Sequence, residues 1–191
     1  MDDDAAVVVV DWHGQLVEQL DWHWRHFARP RLDGLTDEEY RWEPVPGCWN
    51  VRPRESGSAP LQAGSGEFTC DFAVPEPDPP PVTTIAWRLA HVTIGVFGAR
   101  AASHFGGPPI DYPSYDYPGD AATALHNLDA VYASWVDGVN ALDSEGLARP
   151  VGPAEGSWQA SPMVGLVLHI NREAIHHLAE VALLRDLFAH R

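Results

Sequence analysis

The sequence predicts an all-α fold, a four-helix bundle in a single domain spanning residues 1–191. Three observations predict it. Four segments repeat apolar residues at intervals of three and four, which puts them on one face of a helix. Capping residues, or prolines and glycines, bound these segments. No segment alternates polar and apolar residues over the length of a convincing long strand. Four amphipathic helices bury their stripes most simply against one another.

The first helix starts at Asp4 or Asp11 and runs to Phe27, with Leu16, Leu20, Trp24 and Phe27 as its stripe. Pro30 closes it. Thr36 followed by Glu39 reads as a capping box opening a short helical turn. Residues 44–82 then form a long irregular loop or insertion, because the prolines and glycines of 44–81 forbid a long helix. Within it, residues 67–74 alternate weakly and fit a short strand or hairpin arm. The second helix starts at Thr83 or Thr84 and runs to about His104, with Ile85, Leu89, Val92 and Val96 inward. Two glycines and two prolines at 106–109 end it. A loop carrying Tyr112, Tyr115 and Tyr117 leads to Asp120, a good N-cap. The third helix shows Leu125, Leu128, Tyr132, Trp135, Val139 and Leu142, a clean heptad stripe. Ser161 as N-cap and Pro162 at the first helical position open the fourth, which continues to about Phe188. That helix is apolar on more than one face. It should be the most buried, so its polar residues demand an explanation.

Composition narrows the function. The net charge is −15 with histidines neutral. A field of that sign repels phosphate backbones and anionic lipid surfaces, so neither nucleic acid nor a membrane is expected as a partner. No apolar run approaches the ~20 residues of a bilayer span. The acidic start, MDDD, is the opposite of a signal peptide's basic region, which reads as cytoplasmic. Cys48 and Cys70 match no zinc-ligand spacing and read as free thiols. Of the eight tryptophans, several lie near polar residues and are expected to line a cavity.

The polar residues of the last helix are His169, Asn171, Arg172, Glu173, His176, His177 and Glu180. Glu173 and His177 are four apart, an offset of about 40° and a rise of about 6 Å, so one carboxylate and one imidazole can grip one ion. The third ligand has to come from another helix, and His91 is the best candidate. Three protein ligands leave coordination positions open, as a catalytic metal requires. The rival readings are an ordinary surface pair for Glu173 and His177, and a satisfied semi-buried histidine for His91. His169 can line the site, but it lies about 12 Å along the axis from His177. His176 is rotated about 100° from His177 and is expected to face away. His13, His23 and His26 align poorly and read as solvent or packing residues.

The context of His91 (IAWRLAHV) and the last helix (HINREAIHHLAE) resemble the DinB-like superfamily, which includes YfiT-like metalloproteins and the mycothiol-dependent maleylpyruvate isomerases. The resemblance covers nearly the whole chain in helix order and length. It implies a DinB-type bundle, a divalent metal on His91, Glu173 and His177, and pairing as a homodimer. Many relatives place a histidine where this chain has Glu173. A His-Glu-His set is similar to the one the mycothiol-dependent isomerases use for zinc. Zinc suits it best, with nickel, iron or manganese as alternatives. Glu180 falls where many relatives place glutamine, beside the metal helix.

The chemistry implied is that of a transferase or isomerase in which a small thiol such as mycothiol binds the metal as thiolate and meets an electrophilic substrate. Arg88 and Arg172 could hold a carboxylate of thiol or substrate, and an ordinary surface role is the alternative for each. Trp49 and Trp87 could wall the cofactor pocket, with core packing the stronger role for Trp87. Two other readings stand beside this one. The protein could be a hydrolase with Glu180 as base, or a non-catalytic dimer that the metal only braces.

Overall fold

Asp11 opens α1 (Trp12–His23) by accepting a hydrogen bond from the Gly14 N–H at 2.9 Å. The alternative start at Asp4 lies outside the residues this computed structural model describes, 10–57 and 59–191. The helix continues through a wider π-helical turn, Trp24–Ala28, and a 3-10 turn, Pro30–Leu32. Thr36 caps the short α2 (Asp37–Tyr40) through the Glu39 N–H. The capping box is only half formed, because the Glu39 carboxylate turns instead to Arg185 at 2.6 and 3.1 Å.

The all-α expectation is corrected in the 44–82 stretch. It holds a three-stranded antiparallel sheet, ordered β1 (Val51–Pro53), β3 (Phe68–Phe72), β2 (Leu61–Ala63). Val51 pairs with Cys70, and Leu61 with Phe72. The weak alternation over 67–74 marks β3, while β1 and β2, of three residues each, are too short for alternation to reveal. A buried charge ties them together instead. Asp71, with its side chain 2% exposed, accepts from the Asn50 N–H, Arg52 Nε and Gln62 Nε2. A carboxylate so satisfied can be buried where an unpaired one could not. The sheet is pinned to the next helix by the Trp87 indole N–H, which donates to the Asp71 carbonyl at 2.8 Å.

Thr84 caps α3 (Ile85–His91), which runs on through a π-helical stretch, Val92–Gly98, into α4 (Ala99–Phe105). Gly106, in the left-handed region at φ 74°, ends it as a C-terminal glycine should. Asp120 caps α5 (Ala121–Asn140), and the short α6 (Ser144–Ala148) follows. A 3-10 segment, Pro153–Trp158, leads to α7 (Met163–Ala189). Pro162, not Ser161, is the N-cap of α7, with an extended ψ of 150°. The sequence reading was one residue early there.

Among the described residues the chain is thus mostly helical with one small sheet. Helix α3 packs on α5 and α7, and α1 packs on the same two. The Trp24 ring stacks on Tyr132 at 3.8 Å, and Phe97 meets both edge-on. Leu128, Trp135, Ile170, Ala174 and Val181 fill the rest of the core. The other face of α7 stays open, with Leu168, Leu183 and Leu187 exposed, so this helix is not buried all round. No helix among the described residues is long and apolar enough to cross a membrane.

Candidate metal centre

Packing of α3 against α7 brings His91 to His177, ring edge to ring face, with centroids 4.7 Å apart. One turn earlier on α7, Glu173 Oε2 lies 3.5 Å from His177 Nε2. Glu173 and His91 therefore each approach His177, although among the described residues only His176, His177 and Glu180 bring three ligand atoms within 4.8 Å of one another. His177 is buried, and Glu173 is partly open to solvent.

The partners of the two imidazoles decide which nitrogen each has free. His177 Nδ1 sits 2.8 Å from Glu180 Oε2 and 3.4 Å from Arg88 Nη1. The shorter contact to a carboxylate dominates, so Nδ1 carries the proton and donates it to Glu180. This leaves the Nε2 lone pair on the Glu173 side. His91 Nδ1 lies 2.8 Å from the Tyr112 hydroxyl, and the tautomer in which Nδ1 donates to that oxygen keeps the Nε2 lone pair free. Burial, aided by His177 and Arg88, pushes His91 down to about 4, so the ring is neutral at neutral pH. An imidazole oriented through one nitrogen is what a metal site requires of its histidines.

Gly95 makes the Tyr112 contact possible. A Cβ there would collide with the Tyr112 hydroxyl and press on the His91 ring. Neither residue was assigned a role from the sequence. The tyrosine-rich loop was visible, but periodicity gives no way to choose which tyrosine returns to a helix.

The remaining sequence candidates fall around this pair. Trp87 stacks on His91 with centroids 5.6 Å apart, and Trp49 lies 5.9 Å beyond Trp87. Trp49 is buried, so the half-buried Trp87 is the nearer wall. Arg88 binds Glu180 at 3.1 Å and lies over the Trp87 ring, so its charge is already engaged. Glu180 is thus held from two sides. Arg172 is mostly exposed, 2.8 Å from His169 Nδ1 and 3.7 Å from Glu173 Oε1.

His176 does not simply face away. Its side chain is 63% exposed, yet its Nε2 is 3.5 Å from Glu180 Oε1. Atoms of His176, His177 and Glu180 lie within 4.8 Å of one another and could hold an ion. Glu180 bends back along its own helix and bridges the two adjacent rings, which helical geometry alone would separate. The first-helix histidines play other parts. His13 reaches the Val139 carbonyl at 2.9 Å, and His26 packs on Trp22.

A family model described as the DinB superfamily matches residues 19–181. No curated protein and no solved structure matches the chain.

Proposed function

The chain belongs to the DinB superfamily, and on that premise we propose that it is a divalent-metal-dependent enzyme using a small thiol. The fold is a DinB-type four-helix bundle, with 44–82 as an insertion that braces its aromatic wall. His91, Glu173 and His177 hold the ion. One observation carries this ligand choice: His91 and His177 are each committed through Nδ1, to Tyr112 and Glu180, and keep Nε2 free. The rival set of His176, His177 and Glu180 would spend the Nδ1 proton of His177 and break the pair that Glu180 makes with Arg88. Neutral nitrogens with one carboxylate suit zinc, with nickel, iron or manganese as alternatives.

An ion so held supplies a lowered thiol pKa, and so a nucleophile at neutral pH. The chain's own residues do the rest. Glu180 accepts the His177 Nδ1 proton and fixes the ring. Arg88 pairs with Glu180 from the other side at 3.1 Å and orients it. Trp87 shields the His91 face from water. Glu180, engaged twice, serves better as a positioning group than as a base, which favours thiol chemistry over hydrolysis. The thiol is of mycothiol type, the partner an electrophile, the compartment the cytoplasm and the assembly a homodimer.

Metal content of untagged protein tests the site. About one divalent ion per chain, lost in His91→Ala, Glu173→Ala and His177→Ala but kept in His176→Ala, supports the proposal. Loss in His176→Ala with retention in His91→Ala would transfer the site to the other set. Metal-loaded protein mixed with thiol and electrophile then tests the reaction. No rate above background with any cellular thiol would refute the enzymatic part, leaving the metal as a brace.

A further inference from the structure

We propose that the cleft between the start of α7 and the 151–162 segment binds a small organic carboxylate, its apolar body over Gly165 and its charge at Arg172. The inference deepens the metal reading, because Arg172 lines the cleft and lies 3.7 Å from Glu173, but the binding itself needs no metal.

The cleft encloses about 620 Å³, within the range of about 300–1,000 Å³ that suits a small molecule. Val151, Ala154, Trp158, Pro162 and Leu166 give it an apolar lining. Trp158 stands 71% exposed at its edge. A large aromatic left in water beside an apolar hollow is an informative exposure. The rim is built in advance. Val151 N–H bonds the Ser161 carbonyl, and Gly152 N–H that of Gln159, both at 2.9 Å. Glu155 ties the rim to α4 through His104 at 2.9 Å and Arg100 at 3.4 Å.

Gly165 is the second observation. Glycine is among the poorest helix formers, and it sits here inside the first turn of α7. Its φ is not positive, and a Cβ built on it would meet nothing within 4 Å. No neighbour in the protein requires a glycine at this position. It lines the cleft, so the missing side chain leaves room for a guest.

The charges set the sign of the guest. Arg172 and His169 border the cleft, and Arg100 lines it with an Nε–H that has no partner among the described residues. The facing carboxylates are committed. Both Glu155 oxygens are taken by His104 and Arg100. Glu173 is engaged with His177 and stands 3.7 Å from Arg172. Arg172 touches His169 through Nη2 and Glu173 only at 3.7 Å, and with its side chain 68% exposed its guanidinium can still receive a carboxylate.

Calorimetric titration of chelator-treated protein with 4-phenylbutyrate tests this, with 4-phenylbutanol as the neutral control. One saturable site of about 1 mM or tighter is expected, with the alcohol at least about tenfold weaker. Arg172→Gln, a surface change, should cost the acid about tenfold and the alcohol nothing. Gly165→Phe should fill the cleft and abolish binding, while Gly165→Ala keeps binding and raises Tm. Equal binding of acid and alcohol, or binding of the acid unchanged in Arg172→Gln and Gly165→Phe, would overturn the proposal. So would no binding to either metal-free or zinc-loaded protein. The metal content of Gly165→Phe should stay at the wild-type level, so a failure here is told apart from a failure of the metal site.

Discussion

Helix α5 and the helix running from Ile85 to Phe105 are nearly equal in length, and they do different work. Helix α5 is a regular α-helix of 20 residues whose buried positions include Ala124, Leu128, Tyr132, Trp135 and Val139. Its polar residues face outward or cap its ends. The other helix buries Ile85, Leu89, Val92, Val96 and Phe97 on its core side, yet it turns His91 toward α7 and widens into a π-helical stretch directly after it. Such stretches are uncommon and often mark functional positions. The difference teaches where function can be placed. Helix α5 only packs and keeps a single apolar stripe, whereas the 85–105 helix sets His91 against His177 and loses regularity directly after it.

The sharpest way to break the comparison is to remove the anchor of each helix. Trp135 is 1% exposed and fills the core between α5 and Phe105. Trp135→Ala should cost about 3–5 kcal/mol in urea unfolding, with metal content unchanged. His91→Ala should do the reverse, abolishing metal binding while the metal-free protein loses much less stability. If Trp135→Ala emptied the metal site in folded protein, or His91→Ala unfolded the chain, the division of labour between the two helices would be wrong.

A smaller effect is expected at the groups that aim the histidines. Tyr112→Phe removes the hydroxyl on His91 Nδ1, and Glu180→Gln weakens the acceptor on His177 Nδ1. Each should lower metal affinity about tenfold with little change in Tm, measured by competition against a chelator. Glu180→Gln emptying the site entirely would make Glu180 a ligand and favour the set with His176.

How far these parts were legible follows from the range of each signal. The stripes of α5 and the 85–105 helix were readable because helical periodicity is local, and so were the Asp11, Thr84 and Asp120 caps; in the first helix the stripe fails at its end, where the π-helical turn leaves Phe27 51% exposed and buries Ala28 instead. The nearness of Glu173 to His177 was readable because they share one helix face, and His91 was singled out on another helix before the resemblance to DinB-like proteins supported the same set. The contacts that close over long chain separations were not readable. Tyr112 meets His91 from a loop, and Arg88 meets Glu180 across two helices. The sheet depends on Asp71 gathering Asn50, Arg52 and Gln62, and although alternation over 67–74 marked β3, no period of two survives in the three-residue strands that flank it. His176 misled for a related reason. The angle between adjacent residues fixes where their Cβ atoms point, but a long carboxylate such as Glu180 can still reach both rings.

The two helices can finally be compared at their first turns, where they use one device in different surroundings. Asp120 accepts from the Thr123 N–H at the exposed start of α5. Thr84 accepts from the Trp87 N–H, but its hydroxyl also donates to Asn50 Oδ1 at 2.8 Å, and the residue is fully buried. Asp120→Ala should therefore cost about 1 kcal/mol, the usual worth of a cap. Thr84→Ala should cost about 2 kcal/mol, since a buried hydrogen bond is lost with the cap. Thr84 also adjoins the strand residues that hold Trp49 and Trp87 in place, so its loss should loosen the aromatic wall and raise the near-ultraviolet dichroism difference between variant and wild type. Equal costs for the two substitutions would mean that the Asn50 contact adds nothing to the cap, and that the Trp87 indole and the Thr84 N–H to Trp49 carbonyl bond suffice to anchor the sheet to this helix.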